Sequence, residues 1–164
     1  VALWPQLVDE PVTAMLRKRF PRLEIVHGDL DDAGRPLDKA LADVLARARL
    51  FVHGSGSGIP GWRQVRAWRA TTQRPYGFLG ISLWDLGRTT RALAAGARFL
   101  YCRDTKSLDY VRAQSLPTPV VDFSPDTTFA IDVADDPWAD AFVAAERLEP
   151  GRFICVVPRL RHTP

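Results

Sequence analysis

The sequence predicts an α/β fold, a mostly parallel sheet covered by helices on both faces. Three observations carry this. Short apolar runs of strand length alternate with segments whose apolar residues recur at helical spacing. The connections between them are of ordinary loop length. Two successive strands each lead into a charged residue, at the carboxyl edge where open parallel sheets place their ligands. The 164 residues, 46% apolar and 25% charged, are of plain globular composition and long enough to bury a core.

Taken in order, Asp9 to Phe20 reads as a helix. Asp9 is its cap, Pro11 is tolerated in the first turn, and Val12, Met15, Leu16 and Phe20 share a face. Leu23–His27 is a short strand, and Asp29 to Arg35 is polar and turn-like. Leu37, Leu41, Val44, Leu45 and Ala48 make a second amphipathic helix. Leu50–His53 is a strand that runs into the only glycine-rich loop, HGSGSGIPG. A helix follows from Trp62 to Ala70, with Trp62, Val65 and Trp68 on one face. Tyr76–Leu83 is a strand, and Leu86–Ala95 a helix closed by Gly96. Phe99–Cys102 is the next strand, leading through Arg103 to a helix capped by Asp104, with Leu108 and Val111 facing inward. Pro117 and Pro119 stop it, and Val120–Phe123 delivers Pro125 and Asp126 to a loop. Asp136-Pro137 starts a last helix whose buried face carries Trp138, Phe142, Ala145 and Leu148. Gly151 then leads to Phe153–Val157, a final buried strand.

Charge and cysteine usage narrow the function classes. The net charge of +3 is mild and the basic residues are scattered. Their one cluster, Arg17-Lys18-Arg19 with Arg22, falls where a helix end favours cations, so a nucleic-acid partner is not expected. No apolar run approaches the roughly 18 residues of a membrane helix. Nothing at the amino terminus is built like a signal peptide, and a chain opening on Val1 is expected to be processed or trimmed. Cys102 and Cys155 each sit in an apolar strand pattern and read as two buried thiols in a reducing compartment. No metal-ligand spacing is present, and no cofactor is implied.

The glycine loop has two readings. Backbone N–H groups and the hydroxyls of Ser55 and Ser57 could meet an anion or a sugar, or the glycines could simply let strand and helix pack closely. Gly56-x-Gly58-x-x-Gly61 spells the dinucleotide pattern, but Pro60 removes a donor and no ribose-binding acid follows. His53 could orient or protonate a ligand, or be a hydrogen-bonded rim residue. Asp104 could be only a helix cap, Arg103 only the partner of a carboxylate, and Asp126 only a turn residue.

Considered together, Arg103-Asp104-Thr105-Lys106-Ser107 followed by Pro125-Asp126-Thr127-Thr128-Phe129 resembles the polysaccharide pyruvyl transferase family. Gly54 to Gly58 stands at that family's glycine-rich position, Ser107 at its serine, and Asp126 with Phe129 at its closing element. The order agrees from about residue 40 to residue 160. The closing element departs in one place, with threonine where the family favours proline after the aspartate.

The resemblance implies one half of a two-domain, glycosyltransferase-like (GT-B) arrangement. Residues 1–150 would be a Rossmann-like first domain, and residues 151–164 the start of a second, largely outside this chain. Such enzymes transfer the pyruvyl unit of phosphoenolpyruvate to a sugar hydroxyl. The implied partners are phosphoenolpyruvate as donor and a glycan or sugar-lipid as acceptor, in the cytoplasm or at the membrane surface. The candidate catalytic residues are Arg103, Asp104 and Asp126. The candidate substrate-binding residues are His53, Gly54, Ser55, Gly56, Ser57 and Ser107, with Arg159 and Arg161 for the donor's carboxylate and phosphate. A lone first domain, lacking a donor pocket, is expected to be inactive by itself. Two alternatives stand beside this one. The first is a nucleotide-sugar-dependent glycosyltransferase-like domain. The second is a non-catalytic domain binding a glycan or partner, for which Trp4, Trp62 or Trp84 could stack on sugars.

Overall fold

The computed structural model describes residues 1–5, 8–54, 56–130 and 136–156. The chain divides into two compact units, Val1–Phe129 and Ala130–Pro164. The first unit is a Rossmann-like α/β fold. It contains β1 (Ala2–Leu3), α1 (Glu10–Arg19), β2 (Glu24–Ile25), α2 (Lys39–Arg47), β3 (Phe51–His53) and β4 (Gly56–Ser57). These are followed by α3 (Trp62–Thr72), β5 (Tyr76–Ser82), α4 (Arg88–Ala95), β6 (Phe99–Cys102), α5 (Thr105–Ala113) and β7 (Val121–Phe123). A 3-10 turn, Thr127–Ala130, follows β7. The alternation read from the sequence is present, and among the described residues every pair of strands is parallel.

The main sheet runs β3-β5-β6-β7, with β4 also paired to β5, while β1 and β2 form a separate two-stranded pair. Because β3, β5, β6 and β7 advance in one direction, right-handed crossovers place α3, α4 and α5 on one face. Strand register shows which side chains meet those helices: Phe78 stands beside Leu100, and Leu100 beside Val121. Tyr76, Phe78, Leu100 and Cys102 are buried and join Val65, Trp68, Leu93, Leu108 and Val111 in one core. Each valine, leucine or phenylalanine among them contributes about 1.5–3 kcal/mol by leaving water. The opposite face carries Val52, Leu79, Phe99 and Tyr101, none of them buried.

Local signals act as the chemistry requires. The Asp9 carboxylate accepts from Val12 N at 3.1 Å, and Arg17, Lys18 and Arg19 occupy the last turn of α1. The inward face of α1 differs from expectation. Val12, Met15 and Phe20 are exposed, and Thr13 is the buried residue, its hydroxyl donating to Asp9 O at 2.9 Å. Bonding back to its own helix satisfies the threonine, so it can enter a buried position that spacing alone assigns to larger apolar neighbours. In α2, Leu41, Val44 and Leu45 are buried as expected, while Leu37 lies before the helix and is exposed.

The described residues of the second unit form one helix, α6 (Asp136–Ala145), closed by Glu146 N donating to Phe142 O at 3.0 Å. The Trp138 and Phe142 rings stack with centroids 5.8 Å apart. The apolar face expected to be buried is not, for none of the α6 residues is buried. Residues 153–156 form no strand, and Phe153, Ile154 and Val156 are exposed. Cys155 is therefore an exposed thiol, whereas Cys102 is buried as expected. An apolar run becomes a strand only where a neighbour takes its hydrogen bonds, and none is described for it here.

Candidate functional site

The carboxyl edge of the main sheet gathers three strand ends. Strand β5 ends at Ser82, β6 delivers Arg103 and Asp104, and β7 delivers Asp126. A bulge between Leu79 and Ile81 sets Ile81 opposite Cys102, which brings Ser82 level with the residues that follow β6.

Asp104 is the hub. Its Oδ1 accepts from Ser107 N at 2.7 Å, the side-chain cap of α5, and its Oδ2 accepts from the hydroxyls of Ser82 at 2.7 Å and Ser107 at 2.8 Å. The Ser107 hydroxyl also accepts from Leu83 N at 2.8 Å, tying α5 to the end of β5. Arg103 Nε donates to Ser82 Oγ at 2.9 Å, and Arg103 Nη1 donates to Asp126 Oδ2 at 2.6 Å. The other Asp126 oxygen accepts from Thr128 N and from the Thr128 hydroxyl, each at 3.0 Å.

These contacts fix the ionisation of both carboxyls. Burial works against the charge of Asp104, but the Ser107 N–H and the hydroxyls of Ser82 and Ser107 outweigh it and hold the carboxyl below its ordinary range. At Asp126 the Thr128 N–H acts first, then the Thr128 hydroxyl and Arg103, in the same downward direction. Both are carboxylates at neutral pH. Arg103 Nη2 has no hydrogen bond to a described residue, and Asp126 and Arg103 stay 19% and 29% exposed, so the pair faces solvent on one side.

The glycine loop runs beside this constellation. As β4, Gly56 and Ser57 pair with Ile81 and Ser82, and Gly58 N donates to Ser82 O at 2.8 Å. Its backbone therefore spends donors on the sheet, and Ser57 lies next to the residue that bonds Asp104. His53 faces inward. Its Nε2 accepts from Gly61 N at 3.2 Å, and its Nδ1 is buried without a partner among the described residues. A Cβ at position 61 would lie 2.9 Å from that Nε2, so only glycine permits the approach. Burial pushes the His53 imidazole below its ordinary pKa and keeps it neutral, the form that can accept from Gly61.

The structure thus brings together Arg103, Asp104, Ser107, Asp126 and the described loop residues Gly56 and Ser57. Gly54 is exposed with open space about it, and His53 braces the loop from behind. Ser55, Arg159 and Arg161 lie outside the described residues. Two members were missed in the sequence, Ser82 and Thr128. Ser82 carried a signal, a polar residue near the end of a buried strand at the carboxyl edge.

Aromatic side chains stand near the same edge. Trp84, two residues beyond Ser82, is 65% exposed, and Phe129, three beyond Asp126, is 86% exposed. Trp4 and Trp62 are partly buried, Trp4 donating to Gly28 O at 2.9 Å and Trp62 lying under the Arg66 guanidinium. Among the described residues no group of three or more His, Cys, Asp or Glu is placed to hold a metal, and no helix is long and apolar enough to cross a membrane. No protein-family model, curated protein or solved structure matches the chain.

Proposed function

We propose that this chain holds the acceptor sugar of a pyruvyl transferase that uses phosphoenolpyruvate as donor. The observation that supports the reading most is the joining of the two motif elements, RDTKS and PDTTF, into one hydrogen-bonded group at the carboxyl edge. In this reading the chain is the first of two Rossmann-like domains in a GT-B arrangement. The second begins near residue 151 and carries Arg159 and Arg161 toward the donor. The enzyme works in the cytoplasm or at the membrane surface.

The chemistry of ketal formation defines what such a site must do. Two sugar hydroxyls bond to the central carbon of the enolpyruvyl unit, the bond from that carbon to the phosphate oxygen breaks, and inorganic phosphate leaves. One hydroxyl proton ends on the methylene carbon, making it a methyl group, and the other leaves with phosphate. Asp126 and Arg103 suit the positioning half of this task, a carboxylate accepting from a sugar hydroxyl beside a guanidinium with a free N–H edge. A carboxyl held below its ordinary pKa is a weak base, so Asp104 and Asp126 orient the acceptor and proton transfer falls to another group. Trp84 offers a flat face for the sugar ring.

One observation favours a second reading, a glycan-binding domain without catalysis. Every oxygen of Asp104 and Asp126 is already engaged by the protein. The test incubates the full gene product with phosphoenolpyruvate and a panel of galactosides and mannosides. Release of one phosphate per ketal, reduced at least tenfold by Asp126→Asn, supports the transferase. Glycan binding without consumption of phosphoenolpyruvate refutes it and leaves the binding domain.

A further inference from the structure

The amino edge of the sheet, away from the constellation, carries a second concave feature. An open depression of about 730 Å³ lies where α3 ends and β5 begins, lined by Arg66, Arg69, Gln73, Arg74, Tyr76 and Gly96 among others. A smaller one of about 300 Å³ adjoins it, sharing Arg66 and Arg69 and adding Arg88 from the start of α4. Strand β5 separates this edge from Ser82 by six residues, roughly 20 Å at 3.3 Å per residue.

Neither depression has an acidic residue in its lining. The composition explains this: from Gly54 to Cys102 the chain has seven arginines and one acid, Asp85. The guanidiniums are held, but by neutral groups. Arg66 lies over the Trp62 ring at 5.1 Å. Arg69 Nη1 donates to Ala92 O at 3.4 Å, and Arg74 Nη1 donates to Ala46 O at 2.7 Å and also to Ala48 O. None of Arg66, Arg69, Arg74 and Arg88 forms an ion pair among the described residues. Gly96 makes room for the arrangement. A Cβ there would lie 2.7 Å from the Tyr76 hydroxyl, which would have to shift, and 3.2 Å from Arg69 Nη1, which would have to give slightly.

We propose that this depression binds a ligand carrying two or more phosphate groups, a soluble diphosphate or a phosphate-bearing lipid headgroup. Guanidiniums fixed by carbonyls and an aromatic face keep their full charge and lose little side-chain freedom on meeting an anion. Their planar forks match phosphate oxygens in pairs, and several guanidiniums in one concavity favour a ligand with several anionic oxygens over a single carboxylate. The volume suits a ligand larger than a single inorganic ion.

The experiment titrates the 164-residue chain with inorganic pyrophosphate at low salt by calorimetry. In parallel, the chain is sedimented with phosphatidylcholine vesicles with and without phosphatidylinositol 4,5-bisphosphate, a headgroup with three phosphates. Wild type is expected to bind, and Arg69→Gln and Arg66→Gln are each expected to weaken binding by about tenfold or more. Arg152→Gln in the second unit removes the same charge elsewhere and should leave binding unchanged. Pyrophosphate binding assigns a soluble diphosphate, and sedimentation only with phosphatidylinositol 4,5-bisphosphate assigns a headgroup, provided Arg66→Gln abolishes it. Arg66→Gln changes a helix-surface residue, so it serves if Arg69→Gln fails to fold. Equal losses in Arg66→Gln and Arg152→Gln, or no binding in either arm, would overturn the proposal. So would tight binding of a short DNA duplex that Arg66→Gln does not diminish.

Discussion

The two edges of one parallel sheet treat arginine in opposite ways. At the carboxyl edge Arg103 bonds Ser82 and the Asp126 carboxylate, and its charge is spent organising three strand ends. At the amino edge Arg66, Arg69 and Arg74 are held by carbonyls and a ring, and their charge is left over. A charge neutralised within the fold serves the fold, whereas a charge positioned without a counter-ion is available to a ligand. Stability should therefore respond more to substitution at the first edge, and binding of a phosphate-bearing ligand to substitution at the second.

The largest effect is expected at the hub of the carboxyl edge. Asp104→Ala removes the cap of α5 and leaves Ser107 N and the hydroxyls of Ser82 and Ser107 short of an acceptor, and should lower unfolding free energy by about 2–4 kcal/mol. Urea denaturation reads this directly, and a loss no greater than that of an exposed surface change would mean the network is incidental. A smaller effect belongs to Arg103 and Asp126. A double-mutant cycle on Arg103→Met and Asp126→Asn should give a coupling of about 0.5–1.5 kcal/mol, since the pair is only partly exposed.

Acidity sharpens the same contrast. The His53 pKa is depressed in the folded chain, so the unfolded chain takes up its proton first as pH falls. That contribution to stability is complete above about pH 6.5 and is lost on acidification from there toward the lower folded value. Protonation also ends acceptance from Gly61 N. In His53→Gln this part of the pH dependence should vanish in thermal melts between pH 7.5 and 5, and its persistence would assign the effect elsewhere. Asp104 and Asp126, also depressed, contribute above about pH 4 and lose their contribution only below it. The smallest effect is at the amino edge. Arg66→Gln should change stability by no more than about 0.5 kcal/mol, and at low salt should raise it by relieving repulsion among like charges.

Much of the first unit was legible in the sequence because each signal was local. Asp104 announced a cap, and the apolar runs at Tyr76 and Phe99 announced strands long enough to pair with neighbours. The charged residues after β6 and β7 could be placed at one edge because parallel strands share a direction. What the sequence hid was collective. Ser82 joins the site only through a bulge, and Thr13 is buried because its hydroxyl bonds its own helix. Arg66, Arg69 and Arg74 looked scattered because apolar residues separate them, and only the end of α3 folding onto β5 collects them. The run Phe153–Val157 has strand composition, but composition supplies no neighbour to accept its hydrogen bonds.

The most direct measurement is a residue-resolved NMR titration of the ¹⁵N-labelled chain with galactosides and mannosides. The account predicts shifts at Ser57, Gly58, Ser82, Trp84 and Thr128, and none around Arg69 and Gly96. Shifts confined to the amino edge, or none at saturating sugar, would contradict an acceptor site at the carboxyl edge.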